Sequence, residues 1–390
     1  MSTLKVGAVR GVSASSDAIS VADDGTCTAN VTNNLSNRRI NINGGMQFWQ
    51  RATSVSISEG NNEGVTACDR HGFEFGNASA GAATISRSTD TPTNLGFPYS
   101  FKIDVTTINN LSAANTQIRM HHKIESQDIR NSGWKYNDPN SFLTISFYFK
   151  SNKSGTNKLP INVISADGTT YYYVSEITQS DTNWNRHTVK IPGNANLTFD
   201  NDSGAGLQVY WYFAVGSTYH TTADTWGTTQ KHGTSNSTNY FDSTSNDMFI
   251  TGIQMEATTN GIATDFEHRS FADEIQRCYR YYWQSNGSLS GTVPADMIHG
   301  DFINKSTTVA DCSYRYAVRM RAAPTVGTNG TFKFDSQTTV TLTGLTAINN
   351  TEICSQLRGT TGGSLNASGG IGYSLLTQAN TSFLSFSAEL

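Results

Sequence analysis

Charge is scarce in this sequence. Only 15% of its 390 residues are Asp, Glu, Lys or Arg, and their balance is −4, with a pI near 6.1. Without clustered Lys and Arg there is no electrostatic footprint for a phosphate backbone, so no nucleic-acid partner is expected. The five cysteines, Cys27, Cys68, Cys278, Cys312 and Cys354, are odd in number, widely spaced and never in a C-x-x-C arrangement. They signal neither a zinc site nor a disulfide framework. No apolar run approaches the length that spans a bilayer, and residues 1–20 hold no basic stretch followed by an apolar one, so neither membrane insertion nor an export signal is expected. Catalytic signatures are missing too: there is no H-E-x-x-H, G-x-S-x-G, Walker loop or dinucleotide glycine pattern. No solenoid-type repeat suggests a parallel β-helix. The chain reads as a non-enzyme.

What is present is neutral polarity and alternation. Hydrophobic residues make up 36%, while Gly, Ser, Thr and Asn are plentiful, the composition of a β-rich extracellular or particle surface. The length suggests roughly two to three domains. Strand patterns bounded by turn residues occur at 83–86, 99–105, 142–149, 159–165, 171–177, 187–191, 208–215 and 248–255. With no helical period between most of them, they predict an antiparallel two-sheet sandwich. Leu207, Val209, Trp211, Phe213 and Val215 share one face, the expected core, and Gln208, Tyr210 and Tyr212 the other. Further strands are expected at 313–320, 331–334, 338–342 and 383–387, with an exposed loop at 359–372.

One segment changes period. Phe249, Thr251, Ile253 and Met255 alternate with Ile250, Gly252, Gln254 and Glu256 as in a half-buried strand. Ser270 then suits a helix cap, with Asp273 three residues on and a stripe of Phe271, Ile275, Cys278, Tyr279 and Tyr282 behind it. The stretches 250–256, 263–270 and 275–282, together with Ile42-Asn43-Gly44-Gly45-Met46-Gln47-Phe48-Trp49-Gln50-Arg51, His122-Lys123-Ile124-Glu125, residues 144–151, Trp226, residues 318–325 and Ser387-Ala388-Glu389-Leu390, resemble a pattern seen in phage virion appendages. His71-Gly72 stand where that family often has tryptophan after Asp69-Arg70.

The resemblance implies a mainly β protein: a carbohydrate-binding-module-like β-jelly-roll over 41–270, then a short helix and a second small β domain over 271–390. An arm over 1–40, too thin to bury much alone, would join the chain to other virion proteins and to sister chains. The implied role is a tail-fibre or spike-like virion protein, a homotrimer assembled in the host cytoplasm, which attaches by multivalent binding of host surface glycans. A capsid-decorating or tail-scaffolding protein without receptor binding is the alternative, and a polysaccharide-degrading tailspike enzyme the second.

For the site itself, sugars present apolar C–H faces that stack on aromatic rings while amides read their hydroxyl groups. Tyr172, Tyr210, Tyr212, Tyr219 and Trp226 are the candidate glycan contacts. Glu267, His268, Arg269 and Ser270 are assigned to the interdomain junction, where ion pairs and cap hydrogen bonds are expected of them rather than acid–base chemistry. Adjacent His121 and His122 would point to opposite faces of a strand and could not share a metal. Asp200 and Asp202, with Gly204 after them, offer oxygen ligands for Ca2+ but lack the rest of an EF-hand. An ordinary turn is the simpler reading, and no cofactor is expected.

Overall fold

The computed structural model describes residues 6–15, 17–24, 26–29, 37–61, 63–285, 298–335, 339–365, 372–378 and 382–390. Two six-stranded antiparallel sheets form the body. In one, here the site sheet, the strand order is Trp226–Gly227, Tyr172–Gln179, Asn157–Ser165, Ala205–Val215, Gln117–Glu125 and His71–Gly76. In the other the order is Asn185–Pro192, Phe142–Ser151, Asp247–Thr258, Ser100–Thr107, Ala82–Ser88 and Ser54–Ser58. Their facing side chains make one apolar core in which Trp49, Phe73, Phe101, Phe147, Phe149, Trp211 and Phe213 are fully buried. The alternation read from the sequence produces this core, since every second residue of a strand points inward.

Two bulges correct the predicted alternation. In Ala205–Val215 the register shifts between Tyr212 and Ala214, so Ala214 joins the core and Val215 moves outward beside Tyr210 and Tyr212. In Asp247–Thr258 it shifts between Thr251 and Gln254. Met248 and Ile250 therefore share the core with Ile253 and Met255, while Phe249 and Thr251 face away. Gly252 makes this second shift possible. Its φ is +63°, and a Cβ there would stand 2.7 Å from the Phe97 ring and 2.8 Å from Tyr148.

The junction helix is Phe271–Tyr279, and Ser270 Oγ accepts from Asp273 N at 3.2 Å. Its apolar stripe is narrower than the spacing suggested. Cys278 and, in part, Ile275 pack on Ile42, Phe48 and Tyr281, whereas Phe271 is 57% exposed and Tyr282 belongs to the next strand, Tyr282–Gln284. Beyond it, Ile298–Asn304, Val309–Arg315, Cys354–Thr361, Thr339–Asn350, Phe332–Asp335 and Gly372–Thr377 close into a barrel, and Phe383–Ser387 lies between Tyr282–Gln284 and Thr325–Asn329. The strand expected at 313–320 lies earlier, and part of the expected loop at 359–372 is strand up to Thr361; 366–371 lie outside the described residues.

The end of the junction helix and the C-terminal tail are tied to the sandwich by two carboxylates, Glu125 fully and Glu389 largely withdrawn from solvent. Glu125 accepts from Arg280 through both oxygens at 2.7 Å and from the Tyr281 hydroxyl at 2.5 Å. Glu389 pairs with Arg51 at 3.0 Å and with Arg70, whose guanidinium lies over the Tyr281 ring. At the other end, Ala8–Val9, Ile19–Val21 and Cys27–Ala29 form a small antiparallel sheet with exposed Val6, Val9 and Val12.

Candidate functional site

The outward face of the site sheet gathers residues that are far apart in sequence. Antiparallel register places Tyr210 across from His121 on one side and Asn162 on the other, Tyr212 across from Arg119, and Arg119 across from Glu74. Tyr172 lies opposite Ile164, which lies opposite Gln208. A surface strand row would ordinarily be solvated, but here the chain after Val215 folds back. The single turn Ser217–Tyr219 and the segment carrying Gln230 and His232 form a wall against the sheet.

A cavity of about 300 Å3 results, open to solvent and bounded by Tyr172, Tyr210, Tyr212, Arg119, Gln230 and His232, with Gln208 and Ile164 at its floor. His232 organises the wall: its ring stacks on Tyr212 at 4.9 Å and 16° and meets Tyr219 at 4.6 Å and Tyr172 at 6.0 Å. Its Nδ1 is 2.7 Å from Asn162 Nδ2, and its Nε2 is 3.2 Å from Gln230 Nε2. The Tyr210 hydroxyl donates to Gln208 Oε1 at 2.5 Å. Arg119 is braced by Glu74 at 2.9 Å and lies 5.0 Å from the Tyr210 ring centre. His121 Nδ1 stands 3.4 Å from the same Glu74. The His121 ring lies across Gly72, where a Cβ would come within 2.2 Å of it, so the glycine there makes room for the imidazole.

At neutral pH this surface is almost uncharged. Burial, reinforced by the Arg119 charge, pushes His232 down to about 3, and burial takes His121 to about 4 against the pull of Glu74. Burial raises Tyr210 to about 12 and Tyr172 above its ordinary value. Burial opposes the charge on Glu74, yet His121 and Arg119 outweigh it and hold the carboxyl below its usual range. Glu74 and Arg119 therefore form one compensated pair, and the other groups are neutral rings, phenols and amides. Tyr212, His232 and Tyr210 are 0%, 1% and 6% exposed and back the wall, so the half-buried Tyr172 ring is the one that can stack on a flat apolar face, with Gln208, Gln230 and Arg119 beside it for neutral hydroxyl groups.

Tyr172, Tyr210 and Tyr212 line the cavity and Tyr219 backs it through His232. Trp226 is elsewhere: it packs on Tyr173 at 5.1 Å against the core side of the sheet edge and donates Nε1 to the Pro192 carbonyl at 2.8 Å. The edge pairing of Trp226 with Tyr173, whose ring faces inward, turns it away from Tyr172 and the site. Gln208 lies on the face expected for it, beside Tyr210, whereas Arg119, Glu74, His121, Gln230 and His232 were missed by sequence reasoning. For Arg119 and His121 the signal existed, since they alternate with Ile118 and Met120. For Gln230 and His232, inside a Gly/Thr-rich loop, there was none.

At the junction, Glu267 accepts backbone N–H groups of Asn37, Arg38 and Arg39, while Arg269 donates to the carbonyls of Arg39 and Asn41. His268 meets Phe266 at 4.8 Å and Phe97 at 5.2 Å. Asp202 Oδ1 accepts from Gly204 N at 2.9 Å, closing a turn, and Asp200 N donates to Asp167. Among the described residues there is no group of three or more His, Cys, Asp or Glu able to hold a metal ion. His121 and His122 do face opposite ways, His122 inward against His71 at 4.8 Å.

No family model matches this chain, and no curated protein matches it. Among solved structures it is similar to a family 16 carbohydrate-binding module at 11% identity and TM-score 0.23, covering 45% of this chain and 84% of that one. It is similar to a family 11 carbohydrate-binding module from Clostridium thermocellum in complex with a β-1,3-1,4-mixed-linked tetrasaccharide, at 13% identity and TM-score 0.26, over 56% and 99%. A third is the enzymatically active domain of tailspike protein 4 of bacteriophage CBA120, at 12% identity and TM-score 0.28, over 56% and 22%.

Proposed function

We propose that the outward face of the site sheet binds a glycan, and that the chain is a tail-fibre or spike-like phage virion protein which attaches to host surface polysaccharide through it. The observation that carries the reading is the cavity in which the half-buried Tyr172 ring, backed by the buried Tyr210, Tyr212 and His232, meets Gln208, Gln230 and Arg119. It combines apolar ring faces with hydroxyl-reading groups in a space of about 300 Å3, at the small end for ligand pockets and suited to one or two sugar rings. Near-neutrality of the wall favours neutral hydroxyls over a charged ligand.

The virion assignment is supported by the ordered motifs of the jelly-roll start, the last jelly-roll strand and the junction helix. A homotrimer would carry three such sites, and weak binding at each gains avidity through effective concentration. The arm, whose described valines are exposed, would reach the particle or sister chains. Binding of the purified protein to an array of bacterial capsules and O-antigens tests the glycan reading. Light scattering tests the trimer, and incorporation of a chain lacking residues 1–40 into particles tests the anchor. Silence on every polysaccharide overturns the first, a monomer the second, and full incorporation the third.

A further inference from the structure

A second concavity lies where the start of the jelly-roll meets the junction helix. Arg39, Gln47, Phe266, His268, Arg269 and Glu274 are among the residues enclosing about 280 Å3 there. Its two guanidinium groups are withdrawn from solvent: the side chains of Arg39 and Arg269 are 2% and 4% exposed. Glu274 is divided between them, paired with Arg39 Nη2 and 3.6 Å from Arg269 Nη1, and also takes the Asn43 N–H. Glu267, 3.8 Å from Arg269 Nε, has its oxygens engaged by three backbone N–H groups. The Nη atoms of Arg269 are used on the carbonyls of Asn41 and Arg39.

Three donors are left over. Nε and Nη1 of Arg39 and Nε of Arg269 are buried and have no hydrogen-bond partner among the described residues. Buried donors are nearly always satisfied, so three on two guanidinium groups that share Glu274 point to an acceptor. The lining holds Arg39 and Arg269 with Glu274 between them, and Glu267 stands beside Arg269 with its oxygens already taken by backbone N–H groups. Burial and then the nearby Arg39 charge push Arg269 down to about 10, against the pull of Glu274 and Glu267. Arg39 is fixed over the Phe266 ring, 4.9 Å from its centre, so its fork is already positioned.

We propose that this cavity is a second binding site, for a small oxyanion such as a carboxylate, phosphate or sulfate group, which the free N–H groups of Arg39 and Arg269 would hold. Anions of this class accept from guanidinium through charge-assisted bonds. The site is independent of the tyrosine cavity.

The test is a thermal-melting titration of the full chain with sulfate, phosphate and acetate, each counter-titrated with sodium chloride to fixed ionic strength. A saturable rise in the midpoint with at least one anion is expected. Gln47→Glu places a carboxylate in the cavity wall and should weaken the response roughly tenfold. Tyr172→Ala should leave it unchanged. Should the Gln47 variant fail to fold, crystals of the unaltered chain soaked in selenate supply the second measurement, with an anomalous peak expected between Arg39 and Arg269. A midpoint that tracks ionic strength alone, an undiminished response in a folded Gln47→Glu protein, or selenate-soaked crystals without that peak would overturn the proposal and leave solvent as the occupant.

Discussion

Mild acid should unfold this protein far more readily than its carboxylates alone would require. His71, His121 and His232 are held down to about 3, 4 and 3 from an ordinary value of 6.5, with burial the leading cause in each. The unfolded chain takes up these protons near pH 6.5 and the folded chain does not, so their contribution is complete above that pH and is lost as pH falls toward the folded values. At pH 5 each histidine costs about 2 kcal/mol relative to pH 7. Asp69 works the other way: burial raises it to about 6, so the folded state gains its proton first and recovers about 1.5 kcal/mol over the same interval. The net loss is about 4 kcal/mol, a large share of the 5–15 kcal/mol that holds a typical domain together. His122, pushed well down by burial, adds to the same slope. Urea denaturation at pH 7, 6 and 5, followed by near-ultraviolet circular dichroism, reads this as a fall in the midpoint at constant slope. A midpoint that is flat or rises from pH 7 to pH 5 would refute the reasoning.

Other perturbations act on particular joints. Glu389→Ala leaves Arg70 buried beside the Tyr281 ring without its carboxylate and should cost about 3 kcal/mol, seen as a lower urea midpoint. Gly252→Ala forces a side chain into the positive-φ position against Phe97 and Tyr148 and should cost about 2 kcal/mol or more by the same measurement. Trp211→Ala empties part of the core between the sheets and should cost about 4 kcal/mol, whereas Trp283→Ala, packed on Tyr314 and Phe386, should destabilise the barrel by calorimetry.

How far the fold was legible depended on whether alternation survived locally. The strand from Asn157 to Ser165 is evident because Leu159, Ile161 and Val163 alternate without interruption. The side assigned to Val215, and to Phe249 and Thr251, was wrong because a bulge adds one residue without any mark in composition except, at the second, a glycine. Gln117–Glu125 escaped notice because its outward residues, Arg119, His121 and Lys123, are charged or ionisable and obscure the apolar row of Ile118, Met120 and Ile124. Of those outward residues Arg119 lines the candidate cavity and His121 stands beside it against Glu74, so part of what hid the strand also carries its chemistry. Three of the site's tyrosines were visible as the polar face of two strands. His232 was not, since a loop that returns over a sheet leaves no periodic trace.

The most direct test of the account is a calorimetric titration of the array's best oligosaccharide into the unaltered chain and into Tyr172→Ala, whose half-buried ring can be removed without opening the core. The account predicts binding to the first and a loss of about tenfold in the second, equal to about 1.4 kcal/mol and the size of one ring contact. Equal affinity in the two proteins would contradict it and move the glycan away from the tyrosine cavity.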